Sequence, residues 1–205
     1  MTETYSPGLA GVIAGETAIS TVETGLTYRG YAIEELAEKS TYEEVAYLVL
    51  YGELPTTQQS AQFRSRLGAA ANVPPEIIDT LRKIPASTPT MDVLRSATSL
   101  LAHWEPEVAD NSHDANVRKT ERLLAKLPVI VAARQRLKSG QQPVAADPEL
   151  SLPANFLRML QGTQGVSVSE MLPAIDHSWL PDAQGHTYTS EFRIVAMDPE
   201  PWRPA

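Results

Sequence analysis

Residues Gly8 to Pro55 read GLAGVIAGETAISTVETGLTYRGYAIEELAEKSTYEEVAYLVLYGELP, and the fold is read outward from this stretch. Ala10 to Ser20 mixes small, β-branched and polar residues, and Gly11 and Gly15 are too permissive for a stable helix. Glu23-Thr24-Gly25 is a turn cue, which predicts that Leu26 to Tyr31 returns as a second strand, broken at Gly30. Ile33 to Ala37 carries apolar residues three and four apart and predicts a short helix. Ser40 followed by Glu43 has capping-box spacing, so a further helix is expected to start there. Val45, Leu48 and Val49 form its apolar stripe, flanked by Tyr47 and Tyr51, and Gly52 closes it.

The rest of the chain repeats the helical pattern. Thr56 and Gln59 predict a second capping box, with Phe63, Leu67, Ala70 and Ala71 facing inward after it. Pro74-Pro75-Glu76 opens a helix whose apolar face is Ile77, Ile78, Leu81 and Ile84. Thr90 is expected to cap a helix bearing Met91, Leu94, Thr98 and Leu101, and a polar loop runs from Glu105 to Asn116. Val117 to Ser139 is the longest helical pattern, with Leu123, Leu127, Ile130 and Val131 in phase. Pro128 sits inside it and is expected to kink or split it, and Gly140 stops it. After a loop over Gln141 to Glu149, Ser151 to Gln161 predicts a last helix burying Phe156, Leu157 and Leu160.

Taken in order, GLAGVIAGETAIS, YRGYAIEELA and YEEVAYLVLYGELP resemble the amino-terminal region of the citrate synthase family, which includes the 2-methylcitrate synthases. The resemblance continues through PTMDVLRSATSLLA (Pro89 to Ala102), KLPVIVAARQRLKSGQQPV (Lys126 to Val144) and LSLPANFLRMLQG (Leu150 to Gly162). It implies a mainly α fold: a citrate-synthase-like large-domain helical array with a small amino-terminal β-hairpin, truncated. The expected organisation is a partial large domain over residues 1–163 and a divergent Pro-rich tail over 164–205. The implied chemistry is acyl transfer in the tricarboxylic acid cycle, condensing acetyl- or propionyl-CoA with oxaloacetate. Family members pair through large-domain helices, so the resemblance also implies a homodimer or a heterodimer with a full-length relative.

That chemistry needs a base to form an enolate and donors to hold the enolate and the ketone. The family's HADHELNASTF wording, laid without gaps, falls on Asp182 to Phe192. Ser190 and Phe192 match, and Arg193-Ile194-Val195-Ala196 echoes the family's continuation. The positions of the two histidines fall on Asp182 and Gly185, that of the aspartate on Gln184, and that of the asparagine on Tyr188. His186 lies one residue off register. Nothing resembling the family's downstream GPLHGGA segment occurs before Ala205. No catalytic, substrate-binding or metal residue is therefore carried over, and the isolated chain is expected to be an inactive pseudoenzyme with no cofactor. A noncatalytic pairing or regulatory module, or a decaying gene product, is the alternative.

Other groupings offer little chemistry. His103-Trp104-Glu105 reads as a helix terminus, and Asn111-Ser112-His113-Asp114 as a solvated loop. Asp176-His177 with Asp182 and His186 has metal-ligand residue types but no compact ligand spacing. Ser167, Ser169 and Ser190 lack a nucleophile context, and Gly162 to Gly165 is not a phosphate-binding loop. The tail has prolines at 173, 181, 199, 201 and 204, and carries Trp179 and Trp202.

Composition bounds the function classes. The 205 residues are 42% hydrophobic and 20% charged, which suits a soluble globular chain with a real core. No apolar run approaches the roughly 20 residues that span a bilayer, and Met1 to Pro7 lacks a signal-peptide pattern. The absence of cysteine removes disulfides and thiolate chemistry and fits a reducing cytoplasm. A net charge of −8 argues against nucleic acid. The densest basic grouping, Arg118-Lys119 with Arg122, reads as a solvated helix face.

Overall fold

The computed structural model describes residues 17–22 and 25–162. They fall into two compact units divided between Arg64 and Ser65.

Among the described residues of the first unit is a small antiparallel sheet of three strands, β1 (Ser20–Thr21), β2 (Thr27–Tyr28) and β3 (Tyr31–Ala32), in that order. Tyr28 is the hinge of the register, opposite Ser20 on one side and Tyr31 on the other. The strand breaks at Gly30 as expected, but the chain turns there into a third strand instead of passing directly to a helix. Arg29 and Gly30 both take positive φ, 50° and 87°. A two-residue turn of this hand matches the twist of paired strands and adds β3. The Arg29 guanidinium spans the unit, donating to the carbonyls of Ala18 (3.3 Å) and Val49 (2.9 Å).

Helix α1 (Ile33–Lys39) buries Leu36. Helix α2 (Tyr42–Tyr51) starts one residue later than the Ser40–Glu43 reading. Its box is Thr41 with Glu44: the Glu44 N–H donates to Thr41 Oγ1 at 3.3 Å, and the Thr41 N–H to Glu44 Oε2 at 2.8 Å. Glu43 is instead turned inward and is 4% exposed. Tyr47 and Leu48 are buried, Val45 and Val49 only half-buried. Tyr47 stacks on Tyr51 and meets Phe63 edge-on, with ring centroids 4.3 and 5.5 Å apart. Helix α3 (Thr57–Ala70) opens with the expected Thr56–Gln59 box and crosses the division, burying Phe63 before it and Leu67 after it.

The second unit is helical among the described residues: α4 (Pro75–Lys83), α5 (Thr90–Leu101), a 3-10 turn (Ala102–Trp104), α6 (His113–Lys138) and α7 (Leu152–Gln161). Helix α6 packs against α4, α5 and α7. The core they share is Ile77, Leu81, Val93, Ala97, Leu101, Ile130 and Ala133. On α5 the inward residues are Val93, Ala97 and Leu101, while Met91 is 73% exposed. Leu101 is buried as expected and Leu94 packs partly against the core, while Val93 and small Ala97, not in the expected stripe, also lie inward. Pro89, rather than Thr90, occupies the cap position of α5, and no side chain caps it.

Helix α6 runs unbroken through Pro128 for 26 residues. The proline removes one amide donor, and packing along both halves of α6 holds the helix across that loss. On α7 the buried residues are Leu152, Asn155, Met159 and Leu160; Phe156 and Leu157 are half-buried. No helix among the described residues is long and apolar enough to cross a membrane.

Candidate functional site

A cluster of ion pairs in the second unit joins the loop after the 3-10 turn to the first half of α6. Arg122 lies one helical turn beyond Arg118, so both side chains project from one face of α6. Arg122 donates through Nε to Glu105 Oε2 at 2.9 Å, and through Nη2 to Glu105 Oε1 at 2.6 Å and Glu107 Oε2 at 2.7 Å. Arg118 donates to Glu107 through both Nε and Nη2. Lys119 adds a bond to the Asp110 carbonyl. The basic grouping at 118–122 is thus no free solvated face, since paired carboxylates of the preceding loop engage its arginines.

These contacts set the ionisation of the carboxylates. Burial pushes Glu105 up, but hydrogen bonds from Arg122 and the Glu107 amide, with the charges of Arg122 and Lys126, outweigh it and lower its pKa. Hydrogen bonds from Arg118 and then Arg122 bring Glu107 down to about 2. Arg118 and Arg122 are raised in turn, chiefly by their bonds to Glu107 and Glu105 respectively. Both carboxylates are ionised at neutral pH, so this cluster is a lock rather than an acid–base pair.

Beside the lock is a hollow of about 240 Å³ lined by Thr98, Leu101, Val108, Lys119, Leu123 and Lys126, among others. A second hollow, of about 390 Å³, lies between α4, α6 and residues 143–146. Its lining is mainly apolar, including Val73, Ile78, Val129, Ala133 and Val144.

Four further arginines among the described residues, only Arg134 of them buried, serve the backbone or a carboxylate. Arg134, 2% exposed, donates to the carbonyls of Leu81 (3.4 Å), Ile84 (3.0 Å) and Pro85 (2.6 Å) at the end of α4. Arg136 donates to Gln142 and Leu160 carbonyls, and Arg158 to that of Ala145. Arg66 meets Glu121 through two bonds of 2.9 Å. Sequence reading missed Arg134, although it lies four residues beyond Ile130, inside the apolar stripe of α6.

The candidates weighed from sequence are dispersed. His103 and Trp104 form the 3-10 turn, both exposed, with rings edge-to-face at 6.2 Å. Ser112 caps α6 by accepting from the Ala115 amide, and His113 and Asp114 point into solvent. Among the described residues no group of three or more His, Asp or Glu side chains is placed to hold a metal ion. Asp176, His177, Asp182 and His186, the serines 167, 169 and 190, and Gly165 lie outside the described residues, as does the tail at 164–205. Gly162 is the left-handed end of α7, with φ of 76°.

Comparison with known proteins places this framework. A family model described as "Citrate synthase, C-terminal domain" matches residues 8–180. The 2-methylcitrate synthase of Shewanella oneidensis is 42% identical over 161 residues, which are 76% of this chain and 42% of that protein. The citrate/2-methylcitrate synthase of Bacillus subtilis is 36% identical over 171 residues, 82% of this chain and 46% of that one. Among solved structures, citrate synthase from Pyrobaculum aerophilum superposes with a TM-score of 0.72 at 31% identity, over 80% of this chain and 44% of that chain. The chain thus spans less than half the length of these relatives. With its family model covering most of its length and its helices superposing on those of a solved citrate synthase, the chain belongs to the citrate synthase family.

Proposed function

We propose that these 205 residues, on their own, act as a noncatalytic scaffold of the citrate synthase family. Their inherited chemistry is condensation of acetyl- or propionyl-CoA with oxaloacetate in the tricarboxylic acid cycle, and it arises only where a further segment or chain completes the site. The observation that carries this reading is the use of the arginines. Among the described residues, Arg66, Arg122, Arg134, Arg136 and Arg158 are engaged by Glu105, Glu107, Glu121 or main-chain carbonyls, which supports a structural use of them rather than one on a polyanionic substrate. The departure from the family wording at Asp182, Gln184, Gly185 and Tyr188 supports it independently. The chain is proposed to work in the cytoplasm.

The scaffold pairs with a second copy or with a full-length relative. The support for pairing is family membership, since symmetric homo-oligomers bury matching surfaces. A decaying gene product would instead aggregate or lack a cooperative melt.

The test is release of free coenzyme A from acetyl- or propionyl-CoA by the purified chain. The expected result is no release beyond background, with or without oxaloacetate. Release that requires oxaloacetate overturns the proposal. Light scattering after gel filtration, alone and mixed with a full-length relative, is expected to show a discrete dimer or complex.

A further inference from the structure

We infer that the chain docks on itself: residues 176–181 (DHSWLP), with Trp179 among them, seat in the apolar hollow between α4, α6 and residues 143–146. The hollow measures about 390 Å³, and its room comes from short side chains: Ala71, Ala133, Ala145 and Ala146 line it beside Ile78 and Val129. Left open, that apolar lining faces water, and a large aromatic ring is the side chain that gains most from such a space.

The occupant follows from where the chain goes next. A Cβ built at Gly162, the end of α7, would stand 2.7 Å from Arg136 Nη1. Arg136 Nε donates to the Gln142 carbonyl at 2.6 Å, and Gln142 Oε1 accepts from Arg82 Nη1 at 3.1 Å. Arg82 and Pro143 line the hollow, so one arginine side chain separates the end of α7 from the loop at its rim. Trp179 lies seventeen residues beyond Gly162, a length of chain that spans up to about 56 Å. A tether of that length holds the indole at an effective concentration on the order of millimolar, an advantage that no separate partner has.

Charge favours the same segment. Residues 163–182 contain Glu170, Asp176 and Asp182 and no Lys or Arg. The Arg82 side chain is 43% exposed, gives one bond to Gln142 and stands 4.0 Å from Asp79, which leaves donors for the Asp176 carboxylate three residues before the indole. Asn72 and Asp79 also line the hollow and offer acceptors for the indole N–H.

The full chain carrying Trp104→Phe and Trp202→Phe keeps Trp179 as its one tryptophan and tests this. Its emission is expected to lie well to the blue of the urea-unfolded protein, with acrylamide quenching several-fold weaker. Ala146→Leu, which fills the hollow from the loop, is expected to move the emission toward the unfolded value and restore the quenching. Because the chain has no cysteine, Asp79→Cys with Ser178→Cys in otherwise unaltered protein is expected to form an intrachain disulfide on oxidation, in clear excess over Met91→Cys with Ser178→Cys. Unfolded-like emission from Trp179, indifference to Ala146→Leu, or crosslinking no faster than in the control pair overturns the inference. A crosslink formed mainly between chains also overturns it and assigns the hollow to the tail of a second copy. The Asp79 side chain is 68% exposed, so the cysteine pair decides the matter even if Ala146→Leu fails to fold.

Discussion

The side chain of Asn155 pairs with both main-chain groups of Asp147. Its Oδ1 accepts the Asp147 N–H at 3.0 Å, and its Nδ2 donates to the Asp147 carbonyl at 2.9 Å. A residue on the buried face of α7 thereby supplies the partner that a neighbouring strand would have given to an irregular loop. Asn155 is 4% exposed, so no solvent replaces it easily. Asn155→Ala is expected to cost about 2 kcal/mol, because it strands one donor and one acceptor away from water. Asn155→Asp should cost at least as much, since an ionised carboxylate cannot donate to the carbonyl. Urea unfolding measures both; an unchanged midpoint for Asn155→Ala would show that the loop does not depend on this pair.

The same loop makes a close approach at Gly68. A Cβ built there would lie 2.4 Å from the Pro148 carbonyl oxygen. Gly68 sits inside α3, where replacement by alanine ordinarily stabilises by up to about 1 kcal/mol. Here the contact is with backbone, which cannot swing aside, and overpacking of this kind costs about 1–3 kcal/mol. Gly68→Ala is therefore expected to lower the melting temperature, reversing the sign of the helix-propensity effect. A raised melting temperature would mean that the loop yields.

Arg134 ends α4 by bonding the carbonyls of Leu81, in its last turn, and of Ile84 and Pro85 just beyond it, placing a cation at the negative end of the helix. Arg134→Met keeps much of the apolar stem but removes the guanidinium donor; the Pro85 carbonyl still accepts the Thr88 N–H at 3.1 Å. The expected loss is about 3 kcal/mol, and Arg134→Lys should recover only part of it, because one ammonium cannot reproduce the planar fork. Chemical denaturation of the three proteins ranks them. A methionine variant as stable as the parent would show that apolar contact alone holds the end of α4.

The lock predicts an acid-side loss of stability with a defined window. The folded-state pKa of Glu107 is about 2 against an ordinary value of 4.5, so its contribution is present in full above 4.5. It is lost progressively as pH falls toward 2. Glu105 is shifted in the same direction and adds to the effect. The stability difference between the parent and Glu107→Gln should be constant near neutrality and shrink as pH drops through this window. Urea midpoints at several pH values measure it, and a difference that stays constant down to pH 2 would contradict the pairing.

Local signals were legible where the chain alone carries the cause. The Thr56–Gln59 box, the Gly52 and Gly140 stops and the Ser151 start all stand where sequence placed them, because caps and left-handed turns are satisfied within a few residues. Phase and long-range pairing were less legible. Thr41 displaced Ser40 as the cap of α2, and Val93 with Ala97 displaced Met91 as the inward side of α5. Glu105, Glu107, Arg118 and Arg122 were not legible as a cluster, because nothing local shows that the loop turns back to α6.

By itself the sequence determined the family, the mainly helical class and most element boundaries, through ordered motifs and hydrophobic periods that need no partner. The tertiary structure alone decided how the charged and polar residues are used: Arg134 on the end of α4, Asn155 on a loop, Arg118 and Arg122 on two glutamates. The reason is physical. Periodicity reports which face of a helix avoids water, whereas the partner of a buried polar group depends on what distant segment folding brings within about 3 Å.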